Sequence, residues 1–377
     1  MYNDIKGNKI VLVGNTSWSM YNFRMPLMRD LMELGYVVAV IAPPDEFSSR
    51  MEDEGVDFYP ILIDGKGSNP VKDRRTLATF RRLYRSIKPD LIIHYTIKPN
   101  IYGTLAAAYL GYKSIAITTG LGQIFQEKSL RARVVKRLYK IAFRYPERIL
   151  FLNSDDRDTF YENNLLKDPS RAFVLPGEGI ALNSFTRSVP LPKEERKFLL
   201  VGRLLRPKGV EEYVRAARVV RSKYPEAIFS ILGFVNEEDP TSVTLKELET
   251  WDEEDVIKFL GSTDDVKKYL EETSCLVLPS YYREGVPRVL LEAASMGVPI
   301  ITTDNVGCRE VVIDGVSGYI VPIKEVESLA AAAEKIIQAS DEELVQMGKA
   351  GRQLIEDRFS QERVSSELIA LIEQALL

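Results

Sequence analysis

Short apolar runs alternate with stretches of helical periodicity along the chain, an order typical of parallel sheets with helices between the strands. The predicted strands of the first half are 9–13, 37–41, 91–94, 114–118 and 148–152, and those of the second half are 197–201, 227–232, 257–259, 275–278, 299–302 and 318–321. Helices are predicted between them, for instance over 25–34 and, behind Ser154 as N-cap, up to about residue 163. The fold class is therefore α/β, with two Rossmann-like doubly wound halves.

The two halves meet at a stretch rich in proline and glycine. Residues 175–195 hold Pro176, Gly177, Gly179, Pro190 and Pro192, which is turn and linker chemistry. A length of 377 residues also exceeds one ordinary core and suits two domains. We predict an amino-terminal domain at 1–178, a carboxyl-terminal domain at 193–360, and a last helix at 361–377 that crosses back to the first domain.

The composition is that of a packed globular protein, with 45% hydrophobic and 28% charged residues. Cys275, Cys308 and the single His94 supply neither a disulfide framework nor a metal-ligand spacing, so we expect no metal or other cofactor and a reducing cytosol. Residues 1–8 are polar and no apolar stretch reaches about 20 residues, which predicts neither a signal peptide nor a membrane span.

Two segments, 72–88 and 128–148, are strongly basic although the net charge of the chain is −4. In the second, an apolar stripe runs beside a cationic one at helical spacing; the apolar members are Val134, Leu138, Ile141 and Tyr145, and the cations are Arg133, Arg137, Lys140 and Arg144. One interpretation is a helix whose apolar stripe faces the core. The other is attachment to an anionic membrane surface through both segments. Interleaved aromatic residues are sparse and no nucleic-acid motif is present, so nucleic acid is not an expected partner.

Glycine-containing turns follow the first predicted strand of each half, where doubly wound folds bind anions. Gly14 is followed by Asn15 and other small polar residues, without the G-x-G-x-x-G of dinucleotide sites and without a P-loop. In the second half the run Gly202-Arg203 to Lys208-Gly209 places two cations at a strand end. They could neutralise a nucleotide diphosphate without magnesium. An ordinary basic loop is the alternative interpretation.

Two glutamates lie eight positions apart in the segment 279–299. Glu284 precedes Gly285, Val286 and Pro287 at the predicted start of a helix, and Glu292 lies about two turns further on roughly the same side. A carboxylate among so many apolar neighbours needs a polar partner, from the protein or from a ligand. Glu284 could face a sugar ring while Glu292 accepts hydrogen bonds from a ribose.

Together, the E-x7-E segment, the Gly-Arg to Lys-Gly loop and the two Rossmann-like halves resemble the GT-B retaining glycosyltransferases of family 4 over essentially the whole chain. The resemblance implies two domains that face each other across a cleft. It also implies that Glu292 holds the donor ribose, that Arg203 and Lys208 hold the diphosphate, and that Glu284 holds the hydroxyls of the transferred sugar. Gly14, with Asn15 after it, would let the first loop approach the diphosphate.

The runs 21–26 and 95–103 resemble the subgroup that acts on lipid-linked sugars in capsule, O-antigen and glycoprotein-oligosaccharide assembly, including N-acetylgalactosaminyltransferases. This resemblance implies a UDP-sugar donor, a polyprenyl-diphosphate sugar acceptor, and a cytoplasmic enzyme at the inner face of the membrane. Arg24 and Lys98 are candidates for the acceptor side, with surface charges as the alternative interpretation.

One feature departs from the family. Many members carry a histidine near the sugar after the fourth amino-terminal strand, whereas this chain has Thr118-Thr119-Gly120. Thr119 and His94 are therefore only candidates for the acceptor side or the cleft, and a histidine at a strand end is more often structural. Asp156-Arg157-Asp158 resembles a metal-binding D-x-D, but its place in the first turn of a helix favours a structural role.

Two other functions remain open from the sequence. A GT-B-like epimerase or phosphorylase would use the same cleft, although no motif marks the pyridoxal-phosphate lysine that a phosphorylase needs. A non-enzymatic sugar-nucleotide-binding protein is the other alternative.

Overall fold

The computed structural model describes residues 7–63, 70–125, 127, 129–187 and 195–377. Of the sequence predictions, the polar start of the chain, Lys128 of the second basic segment, and Pro190 and Pro192 of the linker lie wholly or partly outside these residues.

Thirteen strands lie in the described ranges. They are β1 Lys9–Val13, β2 Val37–Ala42, β3 Asp57–Pro60, β4 Leu91–Tyr95, β5 Lys113–Thr118, β6 Arg148–Phe151, β7 Ala172–Val174, β8 Lys197–Arg203, β9 Ile228–Phe234, β10 Lys258–Phe259, β11 Cys275–Leu278, β12 Ile300–Thr303 and β13 Gly318–Val321. All the strand pairs are parallel. Continuous apolar runs such as Ile10 to Val13 form them because both faces of each sheet are covered.

The same residues contain thirteen α-helices. They are α1 Ser17–Glu33, α2 Glu46–Asp53, α3 Pro70–Ile87, α4 Thr104–Leu110, α5 Leu130–Ala142, α6 Ser154–Glu162, α7 Val210–Arg221, α8 Leu245–Glu253, α9 Lys267–Glu271, α10 Arg288–Ser295, α11 Val326–Gln338, α12 Asp341–Arg358 and α13 Gln361–Leu376. A single π-helical turn, Pro99–Gly103, leads into α4.

The chain divides into two compact units, Met1–Gly179 with Gln361–Leu377, and Ile180–Ser360. The first unit ends one residue beyond the predicted boundary. Residues 180–187, which the sequence analysis assigned to the linker, belong to the second unit. Helix α13 contacts α1, β4 and β5 inside the first unit.

The first unit is a seven-stranded sheet in the order β3-β2-β1-β4-β5-β6-β7. Helices α3, α4, α5 and α6 cover one face, where Phe80, Tyr84, Tyr139 and Phe160 are buried. Helices α1 and α13 lie on the other face. The strand order reverses between β1 and β4, so the loops after these two strands diverge and leave a crevice at the carboxyl edge.

The second unit is a six-stranded sheet in the order β10-β9-β8-β11-β12-β13. Helices α7, α8 and α11 cover one face, and α9, α10 and α12 cover the other. The reversal lies between β8 and β11. The Gly-Arg to Lys-Gly loop follows β8 and the E-x7-E segment follows β11, so both predicted motifs lie at this point.

Three predictions of elements need correction. Strands β3 and β7 were missed because they are short and their side chains are mostly half-buried or exposed. Helix α1 begins at Ser17, with Thr16 as N-cap, and not at residue 25; Pro26 lies inside it, and buried Met20, Met28 and Leu31 offset the cost of that proline. On α5 most of the predicted apolar stripe does not face the core: Val134, Ile141 and Tyr145 are exposed, whereas Leu138 packs against the core together with buried Ala132, Tyr139 and Ala142.

Candidate functional site

Close contacts between loop backbones shape the carboxyl edge of β8. A Cβ on Gly233 of β9 would lie 1.9 Å from the carbonyl oxygen of Gly202. Gly209, with φ of 80°, is the N-cap of α7, and a Cβ there would lie 2.2 Å from the carbonyl oxygen of Pro279, beyond β11. Only glycine fits at such positions. The β8 and β11 loops are therefore in direct backbone contact.

The backbone of the loop after β11 forms hydrogen bonds with the loops after β8 and β12. The amides of Tyr281 and Tyr282 both donate to the carbonyl of Pro207 at 2.8 Å. Asn305, which follows β12, donates from Nδ2 to the carbonyls of Ser280 and Tyr282 at 3.1 and 2.7 Å. The conformation of this loop is thus set by two neighbouring strand ends.

Glu284 is buried at the centre of this arrangement. The ammonium of Lys208 forms an ion pair with its Oε1, and the hydroxyl of Ser280 donates to the same oxygen at 3.1 Å. Among the described residues, no donor contacts Oε2, which leaves one oxygen to accept a bond from a ligand. The structure therefore brings together two of the three residues predicted to be catalytic, and pairs them with each other.

The third, Arg203, ends β8 with an exposed side chain. Its guanidinium lies 5.8 Å from the ring centre of Tyr282, and Nζ of Lys208 lies 5.7 Å from the same ring. Arg203 forms no ion pair with the residues that the structure describes. Arg206, between these cations, is instead bound by Glu211 and by both oxygens of Glu247, at 2.8 and 3.0 Å for the latter. Arg203 and Lys208 can thus bind an anion, whereas Arg206 has a structural role in the loop.

Glu292 lies in a largely buried stretch of α10, and only 13% of its own side chain is exposed. The Nε of Arg288, one turn earlier, donates to its Oε1 at 3.1 Å, which supplies the polar partner that the sequence required. Burial raises the pKa of the Glu292 carboxyl, and Arg288 opposes that shift. The segment Gly285-Val286-Pro287 leads into α10, whose N-terminus carries no side-chain cap. Such a helix end can stabilise an anion.

The sequence analysis missed Ser280, Thr303 and Asn305 as parts of this site. The Thr303 hydroxyl donates to the carbonyl of Ser280, and a Cβ on Gly307 would lie 2.0 Å from the carbonyl of Gly285. The sequence could have indicated this segment, because a short polar run with a glycine follows β12 just as one follows β1.

In the first unit, Gly14 follows β1, and a Cβ there would lie 2.4 Å from the sulfur of Met20. Asn15 is half-buried beside Thr16, which caps α1. Thr119 is half-buried after β5. These residues lie at the carboxyl edge, as predicted from their place after strands, and their contact with a ligand remains a prediction.

Arg24 is not a surface charge. Its side chain is buried, forms an ion pair with Glu178, donates to the carbonyl of Ser19 at 2.8 Å, and lies 4.5 Å from the ring centre of Tyr95. Lys98 is bound 3.0 Å from Asp73, which also accepts a bond from Tyr102 at 2.9 Å. Both cations have carboxylate partners within the unit, as Lys208 has in the second unit, and their contact with an acceptor remains a prediction.

His94 lies in the core. It is fully buried, with Nε2 2.9 Å from the hydroxyl of Tyr84 and Nδ1 3.2 Å from that of Thr104. Burial lowers the pKa of His94 to about 3. Because the β4 side chains alternate, His94 points towards α3 and α4 and away from the Tyr95 side. Its suggested role at the acceptor is therefore withdrawn.

Asp156 and Asp158 lie in the first turns of α6. The backbone amide of Asp156 donates to Oδ1 of its cap Asn153 at 2.8 Å, and Asp158 pairs with Arg157. Across the described residues, no group of three or more histidine, cysteine, aspartate or glutamate side chains could hold a metal ion. In the same part of the chain, no helix combines the length and apolar character needed to cross a membrane.

Comparisons with known proteins agree with this geometry. Residues 9–153 match the family model "Glycosyl transferase 4-like", and residues 183–354 match "Glycosyl transferases group 1". The chain is similar to N,N'-diacetylbacillosaminyl-diphospho-undecaprenol alpha-1,3-N-acetylgalactosaminyltransferase of Campylobacter jejuni, with 27% identity over 91% of this chain and 92% of that protein.

It is also 25% identical to UDP-Gal:alpha-D-GlcNAc-diphosphoundecaprenol alpha-1,3-galactosyltransferase of Escherichia coli, over 80% of this chain and 79% of that protein. The fold matches Anabaena HepE in complex with UDP-glucose, with a TM-score of 0.78 and 16% identity over 97% of this chain and 99% of the other. Between them, the two family models cover most of the chain, which therefore belongs to the GT-B glycosyltransferases of the group 1 and 4-like families.

Proposed function

We propose that this glycosyltransferase moves an N-acetylhexosamine, such as N-acetylgalactosamine, from a UDP-sugar to a polyprenyl-diphosphate-linked sugar, with retention of configuration, during assembly of a bacterial surface glycan or glycoprotein oligosaccharide. The observation that carries the proposal is the meeting of Arg203, Lys208 and Glu284 at the strand-order reversal of the second unit. The names of the Campylobacter and Escherichia coli relatives support the acceptor class, and the latter also names a UDP donor.

Arg203 and Lys208 stabilise the negative charge of the leaving diphosphate. As the bond between sugar and diphosphate breaks, negative charge grows on the phosphate oxygens. Arg203 can hold two of these oxygens with its planar guanidinium, and Lys208 adds a mobile point charge. The uncapped N-terminus of α10 contributes partial positive charge. We therefore expect turnover without a divalent metal.

Glu284 and Glu292 bind the sugar and the ribose of the donor. When a diphosphate attracts Lys208, Glu284 loses its ion-pair partner and can accept bonds from sugar hydroxyls through both oxygens. Glu292 accepts hydrogen bonds from the ribose. Its ion pair with Arg288 opposes the rise in pKa that burial causes, and so favours the ionised carboxylate that this contact needs. The reaction takes place, on this proposal, at the inner face of the cell membrane, where the lipid-linked acceptor is presented.

A panel of UDP-sugars tests the proposal, with and without a polyprenyl-diphosphate sugar as acceptor and with a chelator in excess. We expect UDP to be released from a UDP-N-acetylhexosamine only when the acceptor is present. The new glycosidic bond should keep the anomeric configuration of the donor, and turnover should be complete in excess chelator. Release of free sugar phosphate, epimerised donor alone, or strict dependence on added metal would contradict it.

Replacing Glu292 tests the ribose contact. Glu292→Ala should weaken UDP binding by about 10- to 100-fold, because a charge-assisted hydrogen bond contributes about 1.5–3 kcal/mol. Calorimetry with UDP measures the change, and Glu327→Ala, on the first turn of α11, is the control for loss of a carboxylate from the same unit. An unchanged affinity for UDP would show that Glu292 does not hold the ribose.

A further inference from the structure

An exposed tryptophan lies at the carboxyl edge of the first sheet. Trp18 occupies the first turn of α1, just beyond the glycine-containing loop that follows β1, and its exposed fraction in the full chain is 44%. This loop lies where the strand order reverses between β1 and β4, which is where doubly wound sheets bind their ligands. A large aromatic side chain that is open to solvent at this point is placed to contact a ligand.

The indole of Trp18 is held in place and keeps one face open. Its ring packs against Phe23 in a T-shaped arrangement, with the ring centres 5.1 Å apart and the ring planes at 82°. Such a contact covers at most one of the two indole faces. The backbone amide of Trp18 donates to Oδ2 of Asp45 at 2.9 Å, and Asp45 is itself the N-cap of α2. Trp18 therefore presents a preformed apolar surface, which a ligand can cover at little cost in ordering.

Neutral polar groups surround the indole. The hydroxyls of Thr16 and Ser19 lie 2.8 Å apart, and Nδ2 of Asn22 donates to the carbonyl of Trp18 at 2.9 Å. Both Thr16 and Asn22 are exposed. Within the described part of the chain, the hydrogen bonds of Trp18 use its backbone only, so its indole N–H can donate to a ligand. The surface thus combines an aromatic face with uncharged donors and acceptors.

This combination suits a sugar ring better than a phosphate. A pyranose has an apolar face of C–H groups that can stack on an aromatic ring, and its hydroxyls need neutral hydrogen-bond partners. The exposed carboxylate that contacts the same turn, Asp45, would repel a diphosphate. The groups that we assign to the donor lie in the second unit, which leaves the acceptor as the substrate for the first unit; these donor groups are Arg203, Lys208, Glu284 and Glu292.

We propose that the sugar of the lipid-linked acceptor stacks on the open face of Trp18, with the indole N–H and the side chains of Thr16 and Asn22 at its hydroxyls. Trp18 then binds and orients the acceptor and takes no part in the chemical step. The isoprenoid chain of the acceptor could also cover an indole, but it would leave the neighbouring polar groups without partners. The inference rests on the proposed function, from which it takes the class of acceptor.

Acceptor kinetics test the proposal, with a farnesyl-diphosphate N-acetylhexosamine as the soluble probe. In Trp18→Ala, the KM for this acceptor should rise about five- to tenfold, because an aromatic stacking contact is lost. The kcat at saturating acceptor and the affinity for UDP should stay nearly unchanged, since the contact is equally present before and during the reaction. Trp18→Phe keeps an aromatic face and should recover most of the loss, whereas Trp18→Leu is apolar without being aromatic and should resemble Trp18→Ala.

Fluorescence gives a second readout that does not depend on turnover. The chain has two tryptophans, Trp18 and Trp251, so Trp251→Phe leaves Trp18 as the single reporter. With UDP present, the farnesyl-diphosphate N-acetylhexosamine should change the Trp18 emission saturably, and farnesyl diphosphate without a sugar should not.

A matched control removes an exposed aromatic ring elsewhere in the same unit. Tyr109, near the end of α4, has an exposed fraction of 63%, and Tyr109→Ala should leave the KM for the acceptor unchanged. Circular dichroism and the thermal midpoint check that each variant folds.

Two outcomes would overturn the inference: an unchanged acceptor KM in Trp18→Ala, or a fluorescence change of equal size with farnesyl diphosphate alone, which would assign the indole to the lipid. Failure of the proposed function gives a different result. Transfer with an unchanged acceptor KM in Trp18→Ala defeats only the role of Trp18. A sugar-dependent change in Trp18 emission without release of UDP from any UDP-N-acetylhexosamine defeats only the proposed reaction.

Discussion

The ion pair between Lys208 and Glu284 has exposed side-chain fractions of only 12% and 11%. Removing one member leaves the other charged and buried, which costs about 3–5 kcal/mol at such sites, whereas replacing both is close to neutral. We predict that Lys208→Met lowers the free energy of unfolding by this amount. The double variant Lys208→Met/Glu284→Gln should recover most of it without recovering UDP-sugar binding. Urea denaturation and calorimetry measure the two effects; equal instability of the single and double variants would contradict this account.

His94 is the one histidine of the chain, so its ring signals in NMR are unambiguous. Burial lowers its pKa from 6.5 to about 3, so between these values the unfolded chain binds a proton that the folded chain does not. The contribution of His94 to stability is therefore complete above pH 6.5 and is lost as the pH falls towards 3. We predict no titration of the ring from about pH 8 to about pH 5 in the folded protein.

The variant His94→Gln should flatten the dependence of unfolding free energy on pH in that window, because it removes the titrating group while keeping polar atoms for Tyr84 and Thr104. A ring that titrates near 6.5 in the folded protein would instead place His94 in contact with solvent.

At the scale of elements, the β8–α7 turn depends on close approach of two backbones. Gly209 and Gly261 both have positive φ, 80° and 73°, but a Cβ on Gly209 would strike the Pro279 carbonyl, while one on Gly261 would meet nothing within 4 Å. Alanine costs about 1–2 kcal/mol at either position through its backbone conformation. We predict that Gly209→Ala loses roughly 1–3 kcal/mol more than Gly261→Ala in urea denaturation, through overpacking. Equal losses would mean that the two loops are not in contact.

At the scale of the whole molecule, α13 completes the first unit from the far end of the sequence. Val364, Leu368 and Ile372 are buried, and Nζ of Lys113 donates to the carbonyl of Leu376 at 2.7 Å. Burying each such apolar side chain contributes about 1.5–3 kcal/mol, against a typical total stability of 5–15 kcal/mol.

Deleting residues 361–377 should therefore unfold or loosen the first unit. Limited proteolysis should then cut within residues 7–179 and spare 180–360, and the fragment 180–360 should fold alone with a cooperative thermal transition. If this deletion unfolded both units together, the two units would not be independent of each other, which would contradict the division of the chain into 1–179 with 361–377 and 180–360.

The sequence by itself determined the two parallel-sheet halves and the position of the candidate site residues at their carboxyl edges. Unbroken apolar runs require sheets covered on both faces, and polar or glycine residues after them identify the carboxyl edge, so Gly14, Arg203, Lys208 and Glu284 were found from local order alone. The short strands β3 and β7 escaped because their side chains are mostly half-buried or exposed, and such side chains leave little periodic signal.

Only the tertiary structure decided which charges are free and which faces are covered. Arg24, Lys98 and Arg203 are all cations that the sequence analysis placed near a ligand, yet Glu178 and Asp73 pair with the first two, and Arg203 stays exposed. Val134, Ile141 and Tyr145 of the α5 stripe are exposed and Leu138 is not, because the packing of Tyr139 against Phe160 sets the rotation of the helix. Ion pairing and helix rotation depend on residues distant in sequence, and local patterns carry no information about those partners.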